Sequence, residues 1–387
     1  MIAAYFQSPR EPLAEFGGFA FGTLLNKNSE VARVRIDELL SNPTPQLLQL
    51  VGEAYARFDP KNVGYTTSDV RALNAVFASK DPTVLWYASR AVHQVAEYDK
   101  QLAVELVACV DLIAAGTSAR DFLMWLGHED TIPLGLIRDD QFERIVANLR
   151  GLEELNDHWI RTFLMYGMVR VPESVIQLVK DRICDSISSE DRWIKPLDDG
   201  IGHEHSLGLL EIERGTTYLA ALLDWAAERV SKDGFLWRFG EALAGLCGKY
   251  GDTACGVFEA WITSGSTGHM MVLAEVLRHT YPDFIYDQDS FVHRILFAAS
   301  AIGAQAAELL SSALYSAAST RGGATTPGEP FPHDVRMKEH AEKKLQTLSR
   351  MDPAYELFRW LLEDANRGID WQRREKEAID AEEEDAG

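Results

Sequence analysis

Cysteine is scarce in this chain. Its four residues, Cys109, Cys184, Cys247 and Cys255, match no zinc-finger or redox spacing and fall far short of a disulfide-stapled domain. They read as small hydrophobes on helices, and the chain is expected in a reducing cytoplasm. Positive charge is also short: 38 Lys and Arg against 59 Asp and Glu leave a net charge of −21. No basic stripe interrupts that deficit, which argues against direct nucleic-acid binding because such a surface repels phosphate backbones. Strand signals are missing, since no β-branched alternation is bounded by Asn-Gly or Asp-Gly turns. Long apolar runs are missing too. The best candidate, Ile295 to Ala318, is mostly alanine and serine and contains Gly303, Gln305 and Glu308. Such a stretch carries too little transfer energy for a membrane span and reads as two buried helices meeting near Gly303. The first ten residues lack the basic and apolar regions of a secretory signal.

What remains is globular composition, 46% hydrophobic and 10% aromatic over 387 residues, written with a helical period. After Asp81-Pro82, the residues Leu85, Ala88, Val92, Val95 and Ala96 share one stripe, while Arg90, Gln94 and Glu97 lie off it. Asp81 suits an N-cap, and Pro82 the first helical turn, where an N–H has no partner anyway. Asp352-Pro353 repeats that start, and Val171-Pro172 opens a helix with the proline alone. The class is all-α. Helices are expected near 12–25, 29–41, 45–57, 67–79, 82–97, 100–115, 118–127, 139–151, 156–169 and 172–188. A second set follows near 213–231, 234–249, 252–263, 267–280, 288–302, 304–319, 334–349 and 353–367. Pro43 and Pro82 are 39 residues apart, as are Pro133 and Pro172, an interval that fits a two-helix repeat. The expected architecture is an α-solenoid-like array of antiparallel hairpins in two lobes, 1–192 and 213–319. An irregular hinge at 193–212 separates them; a Gly/Pro linker at 320–333, a hairpin at 334–369 and a charged, acidic tail at 370–387 follow, with disorder expected over 378–387.

Chemistry-bearing patterns are few. Asp198, Asp199, His203 and His205 lie on a glycine-flanked loop and supply oxygen and imidazole donors of the kind Zn²⁺ takes, the one opening for a metal-dependent enzyme. Asp59 to Val70 resembles an EF-hand loop with its Asp and Gly in place, but Lys61, Val63 and Val70 stand where oxygen ligands belong. Gly248-Lys249 fails as a phosphate loop because Leu243 and Tyr250 replace its Gly and Ser/Thr. Ser264 to Gly268 reads as a turn and N-cap. No catalytic signature or cofactor motif is found. Trp86, Trp125, Trp159, Trp225, Trp237 and Trp261 read as core anchors. Trp360 and Trp371 differ, because they flank a charged stretch with Arg367, Arg373 and Arg374. Trp and Arg dominate binding hot spots, so these five residues are the candidate partner site.

Residues 11–320 resemble bacterial helical-repeat proteins of the HEAT and armadillo kind. Phe331 to Glu342 (FPHDVRMKEHAE) and Asp352 to Glu363 (DPAYELFRWLLE) are similar to terminal segments of prokaryotic STAND-type or defence-associated proteins. The resemblance implies a sensor or adaptor part without the nucleotide-binding module. The expected function is a non-enzymatic scaffold, sensor or adaptor in a larger complex, recognising a protein with a basic surface. Two alternatives are the metal-dependent enzyme on the 198–205 loop and an acidic inhibitor that mimics nucleic acid.

Overall fold

The computed structural model describes residues 11–127, 132–188, 194–197, 206–263, 266–320 and 329–386, omitting the side chains of 11–14, 62 and 380–386. Helices and turns account for all regular structure among them, and no strand is present. The chain divides into two compact units, Met1–Pro196 and Leu197–Gly387.

The first unit contains α1 (Glu11–Lys27), α2 (Ser29–Leu40), α3 (Pro45–Ala56), α4 (Thr67–Phe77) and α5 (Pro82–Tyr98). It continues with α6 (Lys100–Val107), α7 (Ala119–Gly127), α8 (Asp139–Asn148), α9 (His158–Arg170) and α10 (Pro172–Ser188). Each helix packs on the next but one. One layer runs α1, α3, α5, α7, α9; the other holds α2, α4 and α6, then α8 against α10. Leu50, Val51, Val84, Leu85, Phe122 and Phe163 are among the core residues this buries.

Side-chain caps set the helix starts. The Asp81 carboxylate accepts the N–H groups of Thr83 and Val84 at 3.0 Å each, as its position before Pro82 predicts. Asp111 does the same for Ile113 and Ala114 at 3.1 Å, which breaks the helix expected over 100–115. α6 therefore ends at Val107, and a single turn, Leu112–Ala115, restarts after it. Cys109 falls in that break and is exposed rather than helical and packed.

The second unit contains α11 (Gly215–Ala227), α12 (Phe235–Cys247), α13 (Asp252–Ile262), α14 (Thr267–Arg278) and α15 (Asp289–Ile302). α16 (Ala304–Ala318), α17 (Pro332–Thr347) and α18 (Tyr355–Ala386) complete it. The next-but-one rule holds again: α12, α14, α16 and α18 form one row, α11, α13 and α15 a second, and α17 lies along α18. α15 and α16 meet at Gly303. The segment expected to be disordered from residue 378 is instead helical to Ala386. Glu, Lys, Arg, Gln and Ala are strong helix formers, and pairs such as Arg367–Asp364 and Arg373–Asp370 add i,i+3 support.

No single helix among the described residues is long and apolar enough to cross a membrane. The one pair that passes on composition, Lys100–Val107 with Leu112–Gly127, is bent by 90°. Most of its apolar side chains, including Leu102, Val104, Phe122 and Leu123, are buried within the first unit, while Ile113 is exposed.

Candidate functional site

Asp198, Asp199, His203 and His205 lie outside the described residues. Among the described ones, no group of three or more His, Cys, Asp or Glu side chains is placed to hold a metal ion. The EF-hand-like segment is accounted for by folding. The Asp59 carboxylate caps a single turn by accepting the Lys61 N–H at 3.1 Å. Gly64 takes φ +68°, a left-handed conformation open to glycine. Asp69 serves as a buried anchor for Arg33, Tyr55 and Thr66. Ser266 caps α14, accepting the His269 N–H at 3.2 Å.

The five Trp and Arg candidates do not form one cluster. Trp360 is half-buried with its ring edge-on to Tyr315 of α16, centroids 6.3 Å apart, so it belongs to the packing of α18 on α16. Arg373 is exposed and pairs with Asp370 on its own helix. Arg374 is exposed on the same turn. Arg367 and Trp371, four residues apart, share a helical face and line one groove.

That groove is built by the hairpin of α17 and α18. Met337, Ala341, Leu357, Phe358, Leu361 and Ala365 are fully buried and seat the hairpin. The α17 start is fixed at two points. The Phe331 N–H donates to the buried Gln372 side-chain carbonyl at 3.0 Å. The His333 Nε2 donates to the Ala318 carbonyl at 2.6 Å, pinning α17 to the end of α16. Pro332 then opens the helix, and Asp334 places an acid in the first turn, where the helix dipole favours negative charge. The result is a cavity of about 380 Å³ lined by Phe331, Asp334, Asp364, Arg367, Gly368 and Trp371. Asp334 and Asp364 are buried, Arg367 donates to Asp364 at 3.2 Å, and Trp371 is 60% exposed. Burial raises the Tyr315 hydroxyl above its usual pKa, with the Asp364 charge adding to the effect, so this neighbour stays a neutral phenol. Among the described residues, the groove sets two carboxylates and one guanidinium between aromatic walls. It offers binding chemistry and no nucleophile–base pair.

Phe331, Asp334 and Asp364 escape sequence reasoning. Asp364, Arg367 and Trp371 follow an i, i+3, i+7 pattern legible along one helix, whereas Phe331 and Asp334 join them only through tertiary packing. The tryptophans assigned to the core divide. Trp261 is buried, its indole N–H donating to Asp224 at 2.7 Å, but Trp86 and Trp237 are exposed. Comparison with protein-family models, curated proteins and solved structures yields no match, so the side-chain geometry itself carries the functional reading.

Proposed function

We propose that the protein is a non-enzymatic protein-binding subunit for a partner with a basic surface, its two helical arrays acting as α-solenoid lobes and its C-terminal groove forming a contact through Trp371. One observation carries this: Trp371, 60% exposed, stands beside Phe331 and Arg367 at a cavity of about 380 Å³. Tryptophan and arginine are enriched among the residues that carry binding energy at interfaces. The stem of an arginine or lysine packs well on an exposed indole, whose ring face attracts the charge. The net charge of −21 favours the approach of a basic surface.

Affinity capture from the native host with the full chain tests this, run in parallel with Trp371→Ser and Trp237→Ser. Trp237 is a comparably exposed tryptophan of the same unit, away from the groove lining. A stoichiometric partner lost with Trp371→Ser and retained with Trp237→Ser supports the reading. Equal retention by both variants overturns the groove. A metal assay on the same eluate separates the other class: stoichiometric metal without a partner would move the function to the 198–205 loop.

A further inference from the structure

A second row of side chains crosses the first layer of the N-terminal unit. Glu53 of α3 is 1% exposed, yet each of its oxygens meets an arginine. Arg57 Nε donates to Oε1 at 2.6 Å, and Arg90 Nη1 lies 3.0 Å from Oε2. Each guanidinium also lies over an aromatic ring: Arg57 is 5.1 Å from the Phe19 centroid, and Arg90 is 5.0 Å from that of Trp86. The order across α1, α3 and α5 is thus Phe19, Arg57, Glu53, Arg90, Trp86. Glycines permit the close approach of α1. A Cβ at Gly18 would stand 2.5 Å from Glu53 Cγ, and one at Gly22 would stand 2.9 Å from Arg57 Cβ.

Internal packing leaves part of this row unused. Arg57 and Arg90 remain 42% and 40% exposed, and among the described residues Glu53 is the one acid that pairs with either. Two cations on one carboxylate leave a net positive charge. Ring and carboxylate together hold each guanidinium on two sides, so its outer N–H groups face solvent in a restricted orientation. Such a fork matches a carboxylate in bidentate geometry, and pre-ordering lowers the entropic cost of binding. Phe19 and Trp86, both exposed, extend apolar surface at each end.

We propose that this row docks an acidic segment of a partner protein, its carboxylates on the outer edges of Arg57 and Arg90 and its apolar side chains on Phe19 and Trp86. Charge complementarity selects the occupant. The whole-chain charge of −21 opposes a long polyanion, so the segment carries few acids interleaved with apolar residues, and nucleic acid is disfavoured. This site lies in the other unit from the Trp371 groove and has the opposite charge preference, so it stands or falls independently.

The test is selection of a random peptide library on the immobilised full chain, followed by titration of the enriched peptides. Trp86→Ser and Phe19→Ser remove exposed rings while the Glu53 pairs remain, and Arg90→Lys keeps a cation for Glu53 but loses the fork; thermal unfolding confirms that each variant is folded. The expected result is an enriched family combining acids with apolar residues. Its affinity falls at least about tenfold in Trp86→Ser and in Arg90→Lys, and is unchanged in Trp371→Ser. No enriched family, enrichment without acids, or acidic peptides insensitive to Trp86→Ser and Arg90→Lys would overturn it. So would an oligothymidylate that binds the chain and is lost with Trp86→Ser.

Discussion

The Tyr55 hydroxyl donates a 2.7 Å hydrogen bond to Oδ1 of Asp69, a carboxylate with no exposed surface. The same carboxylate accepts Arg33 Nε at 3.1 and 3.0 Å, the Thr66 N–H at 2.7 Å and the Thr66 hydroxyl at 2.8 Å. One anion thereby joins α2, α3 and the start of α4.

Replacing that anion should be costly. Asp69→Ala leaves Arg33 and Tyr55 without their common acceptor in a largely buried place, where breaking an ion pair costs about 3–5 kcal/mol. Urea unfolding should show a loss of that order. A loss under about 1 kcal/mol would show that the network contributes no more than a surface pair.

Tyr55 also imposes an alkaline limit. Burial, reinforced by the Asp69 charge, raises its pKa well above the ordinary value of 10.0. Only the neutral phenol fits the folded state, so its contribution is complete below pH 10 and declines as pH rises beyond it, where the unfolded chain releases the proton first. Tyr55→Phe should flatten the fall in unfolding free energy above pH 10 in denaturant titrations at stepped pH. An unchanged slope would show that the phenol is not held neutral.

Arg182 supports a different region. Fully buried on α10, it donates to the carbonyls of Leu149, Arg150, Glu153 and Pro196 at 3.2, 2.8, 3.1 and 3.0 Å, and also to those of Leu152 and Lys195. Its planar fork serves the 3-10 turn Leu149–Gly151 with the two residues after it and the irregular segment 194–197, and each orphaned buried carbonyl costs about 1–3 kcal/mol. Arg182→Met should open residues 149–153 and 194–197 to hydrogen exchange and limited proteolysis while α1 to α5 stay protected. Unchanged exchange in both segments would refute the assignment.

Legibility in the sequence followed the range of the interaction. Asp81-Pro82 and the stripe from Leu85 to Ala96 mark α5 because cap and period are local. The break at Asp111 was hidden inside an apolar stretch that keeps its period through the interruption. Beyond residue 369 the C-terminal helix reads as a tail because its charges carry no apolar stripe; intrinsic propensity and i,i+3 pairs sustain it instead. Trp86 reads as a core anchor, yet neighbours on a helix point about 100° apart, and it is Tyr87 beside it that is buried. In the groove, Arg367 and Trp371 were visible as one helical face. The contact of Phe331 with Gln372 spans 41 residues and leaves no trace in any local period. The Phe19 to Trp86 row requires three helices in register, so only the folded chain assembles it.

The length of α18 separates arrival from residence. Gln372 is its last buried side chain among those described, and the helix continues to Ala386. At about 1.5 Å per residue this leaves roughly 20 Å of helix beyond the groove, more than two Debye lengths of about 8 Å at physiological salt. Under the proposed function, a partner meets this projecting helix before it reaches the groove. Shortening the helix should then change the association rate, and Trp371→Ser the dissociation rate.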